Sequence, residues 1–110
     1  MTYQRNKVWK DELSLWSDVI LKSPHKARAY INRGAIFCSK LQYDQALVDF
    51  DKAIEINPKL AEAYHDKAVV YAAKGNYNQA WQCIRQAEAL GFKENPNFLD
   101  KLKEASGKEF

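Results

Sequence analysis

The chain has 110 residues, enough for one modest domain and too few for two ordinary ones. It is 46% hydrophobic and 28% charged with four glycines and three prolines, an average soluble composition that excludes a disordered chain. The net charge of +3 comes from acids and bases interleaved throughout, so no basic stripe invites a nucleic acid, and no apolar run is long enough to insert in a bilayer.

The N-terminus lacks the apolar core of a secretory signal. Cys38 and Cys83 are too few for a disulfide framework and lack metal-ligand spacing, so they read as small buried hydrophobes. No glycine-rich phosphate loop, paired-carboxylate motif or metal motif is present, and no cofactor is implied.

In chain order, the first predicted element is a helix over 8–23, with Trp9, Leu13, Trp16 and Ile20 on one face. Ser23-Pro24 closes it. Helices follow at 27–40 and 44–56, because apolar residues recur at steps of three and four and no alternating β-branched run appears. Tyr30, Gly34, Phe37 and Leu41 make one stripe, and Ala46, Phe50, Ala53 and Ile54 the other. Asn57-Pro58 ends this pair.

Two more helices are predicted over 61–74 and 78–90, separated by Gly75-Asn76 and ended by Gly91. A last helix over 95–106 opens on Asn95-Pro96, with Phe98, Leu99, Leu102 and Ala105 as its apolar stripe. The residues from Ser106 to Phe110 read as a frayed tail.

Shifting the sequence by 34 residues superposes Ala27 on Ala61, Ala29 on Ala63, Tyr30 on Tyr64, Tyr43 on Tyr77, Ala46 on Ala80 and Ala53 on Ala87. Near matches keep size: Gly34 with Ala68, Phe37 with Tyr71, Phe50 with Ile84. The small residues mark close approach of two helix backbones, and the aromatic ones fill the space beside them.

This period and these residues resemble the tetratricopeptide repeat. The first copy supplies Tyr30, Arg33, Gly34, Phe37, Ala46, Phe50 and Pro58. The second supplies Tyr64, Lys67, Ala68, Tyr71, Ala80 and Ile84, with Phe92 in place of the closing proline. Arg33 and Lys67 stand where the family usually has leucine, which suggests long side chains laid across the helix pair. The resemblance implies an all-α, right-handed solenoid of antiparallel helix pairs with about six helices. One repeat would span 27–60 and another 61–94, with an N-terminal capping or partial-repeat helix at 8–23 and a C-terminal cap at 95–106.

A second resemblance concerns Tyr3, Arg5-Asn6, Trp9, Glu12, Leu15-Trp16, Asp18 and Ser23-Pro24. They are similar to the segment that joins the last membrane span to tetratricopeptide repeats in polytopic proteins related to protein O-mannosyltransferases. That reading implies a soluble tail on the exported side of a membrane; a free-standing domain would be cytoplasmic.

The residues of the first helices not used in packing form a continuous face: Arg28, Ile31, Asn32, Ala35, Cys38 and Ser39, then Glu62, His65, Asp66, Val69, Ala72 and Ala73. The resemblance implies that this face lines a concave groove for a peptide or protein segment. A clamp for a terminal carboxylate is disfavoured, since only Arg28 and Asn32 offer donors, whereas Glu62 and Asp66 favour positive charge in the ligand. The function expected is a non-catalytic protein-interaction module. Alternatives are an enzyme resting on His25, His65, Cys38 and Cys83, with Cys38 and His65 as nucleophile and base but no orienting acid or oxyanion-hole loop, and self-association through the face or through Trp9, Trp16 or Trp81, giving a homo-oligomer.

Overall fold

A computed structural model of the protein describes residues 12–107, and these form six helices: α1 (Glu12–Lys22), α2 (Ala27–Ser39), α3 (Tyr43–Ile56), α4 (Ala61–Ala73), α5 (Tyr77–Ala89) and α6 (Pro96–Ser106). No strand occurs among the described residues. Trp9 and the stretch containing Tyr3, Arg5 and Asn6 lie outside them. The helices α2–α3 and α4–α5 form closely packed pairs, α1 lies against α2, and α3 lies against α4.

Close packing comes from side chains that are nearly absent. Ala46, Ala53, Ala63, Ala68, Ala80 and Ala87 have no exposed surface at all. Gly34 on α2 faces the ring of Phe50 on α3, and a Cβ placed there would stand 2.5 Å from Phe50 Cε1. In the second copy the trade is reversed: Ala68 replaces the glycine, and the smaller Ile84 replaces the phenylalanine in the same core cluster. Tyr30, Ile31, Phe50 and Val70 build the first cluster, and Trp81, Cys83, Ile84 and Leu102 extend the second. Trp81 is thus a core residue at 4% exposure, which removes it as a surface for self-association.

Both helix pairs turn in the same way. The carbonyl of Phe37 accepts from Gln42 N–H at 2.8 Å, and that of Tyr71 accepts from Asn76 N–H at 2.8 Å, which requires a left-handed residue at the intervening position. Gly75 supplies it in the second copy with φ 83°, but in the first copy the residue is Leu41 at φ 62°. The expectation that Leu41 continues the α2 stripe is therefore corrected: it lies beyond the helix, in the turn, and is 72% exposed. Leu41 stands two residues past Ser39, where α2 ends, so a spacing continued from Phe37 no longer describes a helix there.

Arg33 does reach across the pair, and its charged end finds a partner there that spacing did not reveal. Its Nε and Nη2 donate to Asp49 Oδ2 and Oδ1, both at 2.8 Å, in a forked ion pair between α2 and α3, while Nη1 reaches Ser17 Oγ on α1 at 3.4 Å. The hydrogen bond to Asp49 holds the guanidinium charged more firmly than usual against the opposing cost of burial. Lys67, one repeat later, pairs instead with Asp51 of α3 at 2.7 Å, tying the two helix pairs together.

At the C-terminal end, Asn95 Oδ1 accepts from Asn97 N–H at 2.8 Å, Pro96 occupies the first turn, and Gly107 ends α6 at φ 71°. The α6 backbone does not approach α5 as α1 approaches α2. It docks through Phe98, Leu99 and Leu102 instead.

Two measurements check this account. Leu41→Gly relieves a left-handed side chain with little burial and raises stability by about 1 kcal/mol, whereas Gly34→Ala, which drives a methyl into the Phe50 ring, lowers it by about 1–3 kcal/mol in urea denaturation. Arg33→Ala strands the buried Asp49 carboxylate, but Asp49→Ala leaves a guanidinium that still reaches solvent. The arginine variant is therefore the less stable of the two, by about 1 kcal/mol or more.

Candidate functional site

The face predicted from the leftover positions of α2 and α4 is only partly open. Ile31 is 2% exposed and belongs to the first core cluster, so its inclusion is corrected: the turn of α2 that carries it is covered by neighbouring helices. Arg28 and Glu62 are at the surface, joined by an ion pair of 2.7 Å between Arg28 Nη1 and Glu62 Oε1 that links α2 to α4. Asn32 is half-buried. Ser39 is exposed at the end of α2, where its hydroxyl donates to the Ile36 carbonyl at 2.7 Å. Ala72 leans into the second core cluster, and Ala73 is exposed at the end of α4.

Four of the predicted residues converge. Ala35 and Cys38 from α2, with Asp66 and Val69 from α4, line a cavity of about 130 Å³ whose floor is the ring of Phe50 from α3. Spacing puts each pair on one side of its helix, and the approach of α2 to α4 brings the two pairs together. Residues 35 and 38 are one turn apart, as are 66 and 69, so each pair projects side by side toward the seam between the helices. Phe50 was legible as a core residue, but its second role as the groove floor follows from the missing side chain of Gly34, which lets the ring slide beneath α2.

His65 takes a different direction. Its Nδ1 lies 2.7 Å from Glu94 Oε1, its ring stacks on Phe92 with centroids 4.7 Å apart, and Phe98 meets it edge-on at 5.7 Å. The segment between α5 and α6 thus covers this part of the α4 face. Glu94 is buried, and its Oε2 has no hydrogen-bond partner among the described residues. Neither Phe92 nor Glu94 was singled out as part of the face. The only cue was an aromatic residue standing in place of a family proline.

Burial pushes the Asp66 carboxyl up to about 6; Glu62 and Glu94 push the same way, and His65 and Arg28 oppose them. Burial also pushes the Cys38 thiol up to about 11, with Asp66 adding to the shift. A thiol held protonated beside a carboxylate, with His65 turned to Glu94, lacks the arrangement of an activated nucleophile. Cys83 is buried in the second core cluster and His25 is exposed. No helix among the described residues is long and apolar enough to cross a membrane.

The raised Asp66 value sets the sign of a pH dependence. Between 3.8, its ordinary value, and about 6, the unfolded chain ionises Asp66 while the folded chain retains the proton. Its contribution to stability therefore falls as pH rises through that window. Asp66→Asn is expected to gain on the parent across the same interval, by on the order of 1 kcal/mol after solvent screening, and to keep a constant lead above it. Thermal denaturation of both proteins from pH 3 to 8 reads this difference directly.

Two tetratricopeptide repeat family models match the chain, one over residues 27–60 and one over residues 50–82. Among curated proteins, none matches it. Among solved structures, YrrB, a TPR protein with an unusual peptide-binding site, aligns with TM-score 0.73 and 28% identity over 82% of this chain and 46% of its own. The TPR2B domain of yeast Sti1, in complex with pHsp70, aligns with TM-score 0.76 and 26% identity over 96% of this chain and 87% of its own. The Yersinia enterocolitica type III secretion chaperone SycD, in complex with a peptide of the translocator YopD, shares the fold with TM-score 0.74 and 14% identity over 94% of this chain and 80% of its own. This chain therefore spans about half the length of YrrB and most of the Sti1 domain.

Proposed function

Because the chain belongs to the tetratricopeptide repeat family, we propose that it is a non-catalytic interaction module that receives a peptide or protein segment along the seam between α2 and α4. In this reading α2–α3 and α4–α5 are the repeats over 27–60 and 61–94, and α1 and α6 lie in capping segments over 8–23 and 95–106. The recognition surface consists of Asn32, Ala35, Cys38, Asp66 and Val69, with Arg28 and Glu62 at one edge and Ser39, Ala72 and Ala73 at the other. Ile31 supports it from beneath, and His65 joins it only beyond the Phe92 contact.

The observation that carries the proposal is the cavity itself: a concave seam between first helices, floored by an aromatic ring and walled by small side chains. YrrB, at 28% identity, has a peptide-binding site, and the Sti1 domain, at 26%, is found in complex with pHsp70, which supports the same kind of use here. The raised thiol of Cys38 and the engagement of His65 with Glu94 support a binding role over a catalytic one.

Selection of a displayed random-peptide library on the parent protein and on Ala35→Trp tests the proposal. Ala35 is exposed, so the indole folds without strain in the core and lies over the cavity. Peptides enriched on the parent are expected to bind the tryptophan variant at least about tenfold more weakly, a loss of ~1.4 kcal/mol, while the two melting curves coincide. Equal affinity for both proteins would place the binding surface elsewhere.

A further inference from the structure

The seam between α2 and α4 carries more acidic than basic groups, and its basic groups are already engaged. Arg28 is held by Glu62 and His65 by Glu94, each at 2.7 Å. Asp66 senses all four of these groups. Yet among the described residues its carboxylate makes no hydrogen bond or ion pair. The buried Oε2 of Glu94 adds a second oxygen without a partner to the same neighbourhood.

The shape of the cavity agrees with its charge. Ala35, Val69 and Phe50 give it apolar walls, and Asp66 supplies an anionic group on the wall. Its volume of about 130 Å³ is well below the roughly 300–1,000 Å³ of a pocket for a drug-sized molecule, and suits one side chain. A lysine side chain divides in the same way, into an apolar four-carbon stem and a compact charged head. An acidic or phosphorylated residue would meet like charge, and a purely apolar one would leave the carboxylate desolvated without compensation.

We propose that this cavity receives a single lysine side chain from an extended peptide, with Ala35, Val69 and Phe50 holding its methylenes and Asp66 its ammonium group. The proposal rests on the peptide-binding reading of the same seam and adds the residue that the seam selects. Capture of the ligand is non-covalent, and its specificity comes from matching one uncompensated carboxylate with one cation.

The test uses nonamer peptides taken from the library selection, measured by fluorescence anisotropy against the parent chain and Asp66→Asn. Each lysine is replaced in turn by norleucine, which keeps the stem and removes the charge, and by glutamate. One lysine is expected to stand out: norleucine there weakens binding to the parent at least about tenfold but changes binding to Asp66→Asn less than about twofold, the non-additivity of a direct contact. Glutamate at that position is expected to abolish binding to the parent. If peptides bind the parent, lose affinity for Ala35→Trp and yet tolerate norleucine at every lysine, the lysine pocket is wrong while the peptide seam stands. If the selection yields no peptide that distinguishes parent from Ala35→Trp, the peptide reading fails and the lysine pocket fails with it.

Discussion

The contact between the backbone of Gly34 and the ring of Phe50 sets the geometry on which the molecule depends. A ring that would lie 2.5 Å from the nearest Cβ can be accommodated only because no Cβ is present, and α2 and α3 settle as close as that absence allows. The alanines without exposed surface on α3, α4 and α5 extend the same condition to the second helix pair. Where the glycine becomes Ala68, the opposing residue shrinks to Ile84, so the sum of volumes across the interface is conserved while the individual residues change. The same Phe50 ring floors the groove, so that the interaction which closes the core also shapes the surface offered to a partner.

Charge is arranged differently on the two sides of α2 and α4. Arg33–Asp49 crosses from α2 to α3 and Lys67–Asp51 crosses from α4 to α3, each of them pairing a long cation with an acid on the neighbouring helix. These pairs favour one register of the helices, since a slip of one residue would strand the largely buried Asp49. On the groove side, Arg28 and His65 are paired with Glu62 and Glu94, and Asp66 is the acid left over. One set of charges thus serves assembly of the fold, and the remaining one defines the chemistry of the seam.

The two ends of the helix stack are built unlike each other. The α1 helix approaches α2 closely at the backbone, much as α3 approaches α4, whereas α6 stands off and docks through Phe98, Leu99 and Leu102. The segment leading to α6 lays Phe92 and Glu94 over His65, which shortens the open face of α4 and confines the accessible seam to the region around Asp66 and Val69. A proline at residue 92 would present no aromatic ring to stack on His65.

Much of the architecture followed from local rules. Thirty-four-residue self-similarity, small residues facing large ones, and breaks at Asn57-Pro58, Gly75 and Gly91 suffice to place the helices and assign the family, because each of these signals acts within a helix or between neighbours in the chain. Spacing along a helix likewise put Ala35 beside Cys38 and Asp66 beside Val69. Tertiary structure decided the rest. Ile31 left the surface because other helices cover it, Leu41 took a left-handed turn because the bond from Gln42 N–H to the Phe37 carbonyl demands it, and Arg33 found Asp49 across the helix pair. His65 met Glu94 from 29 residues away. Periodicity reports which side of a helix a residue occupies, but not what stands opposite, and the burial of a carboxylate or the pairing of a cation depends on that opposite surface.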